Sequence, residues 1–439
     1  MSSWRRTAPW IALGAALLLL AAAIAYQAVT GVDVHARNAK YPLSQTLPPW
    51  HGYLDPRTGP GTVPALALAL AGVMVGGRLA ATLPFGRLVA LSYVVSLGWL
   101  LALVTVDGTR GLTRVLGHTS EYLRTARRTD DVPAMLAEYV DRIPHDAPDN
   151  WPVHLAGHPP GAVLFFILLV RIGLGGDLAA GLVVTVVAAS IAPAVLLTLR
   201  ALDATLTARR AAPFLVLTPA AVTMSVSADA VMAAVAAWAT FLLALAATRA
   251  GPAALGWAVG SGLLFGYLVM MSYGLVLFAA IALAVLVAAR TWRPLVPCAL
   301  AALAVVLVFA ALGFAWWEAF PVLRERYWDG VASERPTSYW IWGNLAALVA
   351  TAGPVVAAGL ARLGHAERPA RWLVVGAVAC IVVADLSLMS KAEVERIWLP
   401  FVPWLTLAVA GLPDRWLRPA LALQVATALV VQHLLNTFW

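Results

Sequence analysis

Runs of about 20 apolar residues recur through most of this chain, the length that a helix needs to cross a bilayer. A soluble domain could not bury them all, because 61% of the 439 residues are hydrophobic and only 12% are charged. The chain is therefore predicted to be an all-α polytopic membrane protein with about 13 transmembrane helices. The apolar segments are 9–29, 62–80, 86–106, 177–199, 212–228, 230–248, 254–271, 273–289, 294–315, 343–361, 372–388, 397–412 and 419–436.

The distribution of charge predicts an orientation. If Arg5 and Arg6 are cytoplasmic, fifteen of the 30 basic residues lie on the inner side, against eight in short outer loops, as the positive-inside rule requires. The same map puts eighteen of the 22 acids on the outer side. The net charge of +8 then reflects topology, and no nucleic-acid partner is predicted. Abundant alanine and arginine, with lysine only at Lys40 and Lys391, suggest a bacterial plasma membrane protein.

The outer acids concentrate in a long loop, 107–176, and in the shorter loops 316–342 and 389–396. Within the long loop, segment 159–174 is apolar but only about 16 residues long, too short to span comfortably. We interpret it as an interfacial helix, because a crossing would move the arginines that follow to the wrong side. Cys298 and Cys380 lie in apolar runs and are predicted to be structural.

The long outer loop supplies candidate catalytic groups. Asp107 and Glu121 are the candidates for a general base, with Tyr122 lining the cleft; the alternative for each acid is a solvated loop residue with no catalytic role. His158 precedes two prolines that hold it rigidly ahead of the interfacial helix, which suits a phosphate ligand. A local capping role is the simpler alternative for this histidine.

Cations further along the chain could meet a lipid phosphate at the membrane surface. Arg326, Lys391 and Arg396 are the candidates for binding this phosphate. The alternative is that these side chains only extend from helix ends towards the water at the membrane surface. Four charges between 391 and 396 stand beside apolar spans, a density tolerated only where charges pair or line a wet cavity. The further cleft-lining candidates are Asp229, Glu395 and Trp328, the last in a loop that could also be an aromatic belt.

Several short motifs between about 90 and 410 resemble the GT-C fold of polyprenyl-phosphate-sugar-dependent glycosyltransferases, in particular the protein-mannosyltransferase and aminoarabinose-transferase branch. The motifs are the early loop carboxylates, His158-Pro159-Pro160 opening a helix, Leu174-Gly175, an arginine-containing cytoplasmic turn, Pro219, Ser227-Ala228-Asp229, and Lys391 with Leu399-Pro400 and Pro403. The resemblance implies transfer of a sugar from a polyprenyl phosphate to an acceptor on the extracytoplasmic face.

Two features depart from that family pattern. The branch places an adjacent Asp-Glu pair after its first span, whereas this chain has Asp107 alone and Glu121 fourteen positions later. The first two spans have no counterpart, so 1–85 is predicted to be an N-terminal two-helix addition, before a catalytic core at 86–290 and a C-terminal region at 291–439. In the alternative alignment the pattern begins at the first span, and Asp33 is the functional acid.

The implied partners are a polyprenyl-phosphate sugar donor, membrane lipid, and a glycan, lipid or protein acceptor of the cell envelope, with mannose and arabinose as plausible sugars. No cofactor is assigned; a divalent metal ion held by carboxylates stays open, and no compact metal-ligand spacing is present. A transporter or lipid flippase is the alternative function, but such proteins bury charges within their spans, and Asp385 is the one acid predicted there. A third possible function is that of a scaffold subunit in an envelope-assembly complex, whose own active site has been lost.

Overall fold

The computed structural model describes residues 4–36 and 46–437 of the chain. These residues are almost entirely helical, and their two short strands, Tyr53–Leu54 and Leu435–Asn436, pair antiparallel. The α-helices are Trp4–Thr30, Thr62–Ala71, Gly77–Thr82, Phe85–Val104, Thr109–Thr113, Tyr122–Ala126, Val132–Ala137, Val153–Ala156, Gly161–Arg171, Asp177–Ala189, Ile191–Ala201, Thr205–Val216, Ala221–Met224, Ala228–Thr248, Pro252–Val269, Ala279–Ala289, Leu295–Ala311, Trp316–Trp328, Val331–Glu334, Thr337–Ala352, Val355–Leu360, Arg368–Leu386, Val394–Ile397, Val402–Thr406 and Asp414–Leu434. A π-helix, Gly72–Gly76, and four 3-10 helices, Thr105–Asp107, Tyr273–Phe278, Leu363–His365 and Leu407–Gly411, complete them.

Eight helical segments in the described part of the chain are long and apolar enough to cross a membrane, or nine if one bent pair counts as a span. This confirms a polytopic, membrane-embedded protein. The eight segments are Thr7–Thr30, Thr62–Thr82, Phe85–Asp107, Asp177–Ala201, Ala228–Thr248, Pro252–Met271, Arg368–Leu386 and Asp414–Leu434.

The eight segments correspond to eight of the thirteen predicted spans, and the other five are short, broken or bent. The predicted span 294–315 forms helix Leu295–Ala311, and the predicted outer loop 316–342 begins with a second helix, Trp316–Trp328, which meets the first at 75°. The predicted span 343–361 is interrupted at Gly353, whose φ of +92° lies in a region that favours glycine, and Pro354 follows it. In these two segments, backbone breaks at Gly313 and at Gly353-Pro354 are the physical reason for the smaller count.

The predicted interfacial segment forms helix Gly161–Arg171, which at 11 residues is too short to span. Its start is fixed by close contact with the end of helix Pro252–Val269. The backbone N–H of Gly161 donates to the carbonyl of Met270 at 2.7 Å, and the Tyr267 hydroxyl donates to the carbonyl of Gly161 at 2.9 Å. The long loop is thereby docked on the helical body.

One hydrophobic core extends from Ala65 to Ala428 and draws on all three predicted regions. The first helix, Trp4–Thr30, packs against helices Thr337–Ala352 and Val355–Leu360 near the other end of the chain. The helices of the predicted N-terminal region therefore pack against the rest of the helical body. Both cysteines are buried and unpaired, as expected of structural residues.

Candidate functional site

The most concentrated group of buried charges surrounds Arg396. We call Glu121, His154, Asp229, Arg335, Glu393 and Arg396 the Arg396 cluster. The Arg396 guanidinium contacts three carboxylates: its Nη1 lies 3.6 Å from Glu121, its Nε 3.4 Å from Asp229, and its Nη2 3.4 Å from Glu393. The Arg396 side chain is 8% exposed. Charges so removed from water persist only when they are paired, as these are.

Short helices and turns bring the carboxylates together. Glu121 immediately precedes helix Tyr122–Ala126, and Asp229 lies in the first turn of helix Ala228–Thr248, where a negative charge is stabilised by the helix dipole. The N-cap residue Ser227 also donates from its hydroxyl to the Asp229 carboxylate at 3.2 Å. Both acids are thus placed at helix N-termini.

The loop that carries Glu393 and Arg396 has an unusual backbone. Leu388, Ala392 and Glu393 all have positive φ, which non-glycine residues rarely adopt and which the surrounding structure must enforce. Asn344 is one such support. Its amide nitrogen donates to the Asp385 carboxylate and the Ser390 carbonyl, both at 2.8 Å, and its oxygen accepts from the Ala392 N–H at 3.1 Å.

Arg335 forms the second basic centre of the cluster. It reaches Glu393 at 3.4 Å and donates to the backbone carbonyls of His35 and Lys391 at 3.2 and 2.5 Å. The cluster therefore joins the segment after the first helix to the 388–396 loop. His51 lies close enough to the same charges for them to influence its titration: burial lowers its pKa, Glu393 opposes that effect, and Arg335 and Arg396 add to it.

His154 completes the contacts of Glu121. Its Nδ1 lies 2.8 Å from the Glu121 Oε1, and its Nε2 lies 3.3 Å from the Arg396 Nη2. Burial alone would raise the pKa of Glu121, but His154 and Arg396 outweigh that effect and lower its pKa below the ordinary value of 4.5. Glu121 is therefore held as a carboxylate at neutral pH.

The same balance sets the charge of the other cluster residues outside the long helices. Burial would raise the pKa of Glu393, but Arg335, His51 and Arg396 lower it to about 2. Burial would lower the pKa of Arg396, and the carboxylates of Asp229, Glu121 and Glu393 raise it instead. Glu393 and Arg396 are therefore both charged at neutral pH.

Tyr122 and His158 form a pair next to the cluster. The Tyr122 hydroxyl hydrogen-bonds the His158 Nδ1, and the Tyr122 ring stacks on Phe166 with centroids 5.5 Å apart. Burial, with the charges of His154 and Arg396, lowers the pKa of His158 to about 3, so this imidazole is neutral at pH 7. Burial and the nearby acids Asp229 and Glu121 raise the pKa of the Tyr122 phenol. As a ligand for phosphate, His158 would act through a hydrogen bond and without a positive charge.

The remaining predicted phosphate ligands donate to backbone carbonyls. Arg326 donates to the carbonyls of Ile143, Pro144 and Trp151, which anchors the long loop. The Lys391 ammonium donates to the carbonyls of Ala332 and Arg335 at 3.2 and 3.0 Å, and lies 4.7 Å from the ring centroid of Trp328. Burial lowers the pKa of Lys391, with Arg335 adding to the effect. Glu395 is 1% exposed, and its carbonyl accepts from the Thr223 hydroxyl.

Asp107 belongs to a different network. Its carboxylate lies 2.6 Å from the Arg57 Nε and accepts from Gln432 at 3.4 Å, so it joins the N-terminal loop to the last helix. Asp33, the other alternative acid, accepts from the backbone N–H of His35 at 2.9 Å. Of the three candidate bases, Glu121 is the one that contacts Arg396.

A cavity of about 660 Å³ opens within the long loop, on segments that flank Glu121 and His154 in sequence. That volume falls within the range of about 300–1,000 Å³ that is usual for small-molecule sites. Its lining includes hydroxyls, an amide, four acids and two arginines: Thr125, Thr129, Asn150, Asp130, Asp131, Glu138, Asp149, Arg128 and Arg142. Three or more His, Cys, Asp or Glu side chains grouped to hold a metal ion are not found among residues 4–36 and 46–437.

Sequence reasoning selected Glu121, Asp229 and Arg396, and the structure brings these three together. It did not select His154, Arg335, Glu393 or His51 as site residues. Their proximity depends on three chain segments, near 51, 154 and 335, that meet the 388–396 loop only in the folded protein.

No family model, curated protein or solved structure matches this chain. The functional proposal therefore depends on the site itself.

Proposed function

We propose that this protein is a glycosyltransferase of GT-C type that moves a sugar from a polyprenyl-phosphate carrier to an acceptor hydroxyl at the extracytoplasmic face of the bacterial plasma membrane. The observation that carries the proposal is the Glu121 carboxylate, buried in the long loop ahead of the short helix Tyr122–Ala126 and held beside Arg396 and His154. An anchored, ionised carboxylate is the group that such a transfer needs to remove a proton.

In the proposed reaction, Glu121 takes the proton of the acceptor hydroxyl as its oxygen attacks the anomeric carbon of the donor sugar. The bond between that carbon and the carrier phosphate oxygen breaks, and the polyprenyl phosphate leaves with the electron pair. In this proposal, Arg396 and Lys391 stabilise the negative charge that develops on the leaving phosphate.

The cavity in the long loop supports this proposal as a place for the acceptor. Four carboxylates and two arginines give its lining a surplus of negative charge, which repels a phosphate and suits a neutral or amine-bearing polyol. The amide of Asn150, the hydroxyl of Thr125 and the charged side chains can donate and accept hydrogen bonds to the hydroxyl groups of a sugar.

The test is transfer by the purified protein in lipid vesicles, with radiolabelled polyprenyl-phosphate mannose and arabinose as donors and an envelope extract as acceptor. Removing a general base costs about 10²–10⁴-fold in rate, so we expect Glu121→Gln to lose at least about 100-fold. Asp141→Asn, an exposed acid of the same loop, is the matched control and should retain activity. Asp107→Asn should leave turnover much closer to wild type than Glu121→Gln does. Turnover by Glu121→Gln equal to that of Asp141→Asn would refute the assignment of the base.

A transporter or lipid flippase is the second candidate, favoured by one observation: buried, paired charges such as Glu121 with Arg396 are also typical of coupled transport. Against it, Asp229 lies in the first turn of its helix and Asp385 in the last, so neither acid is at mid-span. Movement of polyprenyl-phosphate sugar across the bilayer of the same vesicles, without transfer to an acceptor, would favour this second function.

A further inference from the structure

An apolar groove runs between two membrane-spanning segments and a third helix. Its walls come from Thr62–Thr82, from Phe85–Val104 and from the end of Thr205–Val216. The cavity within the groove measures about 150 Å³. Val75 and Leu79 belong to its lining and are 44% and 36% exposed, so the groove opens at the outer surface of the helical body, where a membrane protein meets lipid.

The lining of the groove suits a hydrocarbon chain. Of the described residues that line it, only Ser92 has a polar side chain. The Ser92 hydroxyl already donates to the carbonyl of Val89, at 2.7 Å, within its own helix. A sugar or a free phosphate would lose its hydrogen bonds to water on entering such a site, whereas a dry apolar cavity takes up apolar ligands.

Glycines and a π-helix keep the groove open. Gly72–Gly76 is a π-helix in its wall, a rare element that is frequent at functional sites. A Cβ added to Gly72 would lie 2.1 Å from the Leu217 side chain, so glycine lets the two walls approach closely there. A Cβ added to Gly76 would make ordinary contacts, 3.7 Å from the nearest atom of Pro213. Position 76 therefore has room that the protein leaves unfilled.

The length of the groove matches one leaflet of a bilayer. Its lining extends along Thr62–Thr82 from Leu68 to Ala80, which is about 18 Å at a rise of about 1.5 Å per residue. The hydrocarbon core of a bilayer is about 30 Å thick, so one leaflet contributes about 15 Å. An acyl chain of a phospholipid can therefore lie along the whole groove, with its head group at one end.

One end of the groove is basic. Arg78 and Arg87 each stand directly before a residue of the lining, close to the turn that joins the two spans, and both are exposed. The three helical segments that form the walls carry four arginines and no acid. One of the four, Arg210, is paired with Asp414 of the last helix. The positive charge that remains attracts an anionic head group.

The basic end lies on the opposite side of the molecule from the Arg396 cluster. Arg87 is in the first turn of helix Phe85–Val104. Leu100, near the other end of that helix, accepts a hydrogen bond from Ser225, which is close in sequence to Asp229 of the cluster. A lipid whose head group meets the basic end therefore lies in the opposite leaflet from the proposed reaction.

We propose that this groove is a binding site for an anionic phospholipid, with one acyl chain along the groove and the phosphate held by Arg78 and Arg87. The apolar lining selects the chain, and the two exposed arginines select the charge of the head group. The bound lipid is neither donor nor acceptor of the proposed reaction. This inference stands whether or not the protein transfers sugar.

The first test measures lipid binding to the delipidated full chain in detergent by native mass spectrometry. The probes are dioleoylphosphatidylglycerol, dioleoylphosphatidylcholine and undecaprenyl phosphate. We expect phosphatidylglycerol to bind at least about tenfold more tightly than phosphatidylcholine, because only the former carries a net negative charge. Equal affinities for these two phospholipids would overturn the proposal. Tighter binding of undecaprenyl phosphate that is lost in Gly76→Leu would assign the groove to a carrier lipid and would also overturn it.

The second test fills the groove. Gly76→Leu should bind phosphatidylglycerol at least about tenfold more weakly than wild type, because its side chain occupies the space of the acyl chain. Gly77→Leu is the matched control, since a Cβ added to Gly77 meets nothing within 4 Å. Phosphatidylglycerol should raise the melting temperature of wild type and Gly77→Leu but not of Gly76→Leu, because a ligand that binds only the native state stabilises it. Equal affinities of the two variants would refute the site.

The third test removes the charge, and it decides the matter even if Gly76→Leu does not fold. In the double variant Arg78→Gln/Arg87→Gln, both changes are at exposed positions, and the affinity for phosphatidylglycerol should fall about tenfold, to that for phosphatidylcholine. The double variant Arg249→Gln/Arg293→Gln, at exposed arginines of two other turns, is the control and should keep the preference for phosphatidylglycerol. An undiminished preference in Arg78→Gln/Arg87→Gln would overturn the proposal.

Discussion

At the scale of single residues, Arg396 is the centre of the site because three of its nitrogens meet three different carboxylates. A lysine ammonium is a compact point charge and cannot span Glu121, Asp229 and Glu393 at once. We expect Arg396→Lys to lower both the transfer rate, by about 100-fold, and the melting temperature in detergent. Arg324→Lys, at an exposed arginine, is the control for the chemical change alone. An Arg396→Lys protein as active and stable as this control would show that the simultaneous contacts of the Arg396 guanidinium with three carboxylates are not needed.

The titration of Glu121 makes a second prediction at this scale. Its pKa is lowered in the folded protein, so the residue stays ionised at neutral pH and becomes protonated only below the pH at which an ordinary glutamate does. A general base works while ionised, so kcat/KM should stay level as the pH falls from 7 and should decline only in a more acidic range than an ordinary glutamate would give. The acid limb should disappear from the residual activity of Glu121→Gln. A limb that persists in that variant would belong to another group.

At the scale of helices, a close contact joins Pro252–Val269 to Leu295–Ala311. A Cβ added to Gly262 would lie 2.2 Å from the carbonyl oxygen of Cys298, and one added to Gly266 would lie 2.6 Å from that of Ala302. Small residues four apart allow membrane helices to approach in this way. We expect Gly262→Ala to destabilise the fold by about 1–3 kcal/mol, seen as a lower melting temperature in detergent.

Gly256 is the matched control on the same helix, because an added Cβ there meets nothing within 4 Å. Gly256→Ala should therefore leave the melting temperature unchanged or slightly higher, as helix propensity favours alanine. Equal melting temperatures for Gly262→Ala and Gly256→Ala would show that this helix contact does not limit stability.

The elements also show what sequence patterns could predict. Apolar runs predicted eight helices correctly, because hydropathy and length describe an unbroken span well. They overestimated the length of the helix in segments such as 343–361, where the sequence stays apolar but the helix stops at Gly353. Glu121 and Arg396 were selectable as charges beside apolar helix ends, whereas His154 was not, since its role comes from a contact with Arg396 that is 242 positions away.

At the scale of the whole molecule, three spans end on the face that holds the site. Strand Tyr53–Leu54, just before the second span, pairs with Leu435–Asn436, just after the last. Arg57 of the same loop pairs with Asp107, at the end of the third. Ser225, close to Asp229, donates to the carbonyl of Leu100 near that same end. The Arg396 cluster therefore shares a face with the pairing of these two short strands.

The opposite face of the molecule is rich in arginine. Arg209 donates to the carbonyls of Ala80 and Leu83 at 2.6 and 3.0 Å, where the second span ends. Arg210 pairs with Asp414, where the last span begins, and Arg368 donates to the carbonyl of Ala288 at 3.0 Å. The positive-inside rule predicts that this arginine face is cytoplasmic, in which case the Arg396 cluster is extracytoplasmic.

Single cysteines test that orientation. Asp146 is exposed in the long loop, and Arg249 is exposed at the far end of the helix that begins near Asp229. In intact cells, a membrane-impermeant maleimide should label Asp146→Cys, and should label Arg249→Cys only after the membrane is permeabilised. Wild type is the control, since both native cysteines are buried. The reverse pattern would place the Arg396 cluster in the cytoplasm, where the acceptors of an envelope glycosyltransferase are absent, and the proposed function would fail with it.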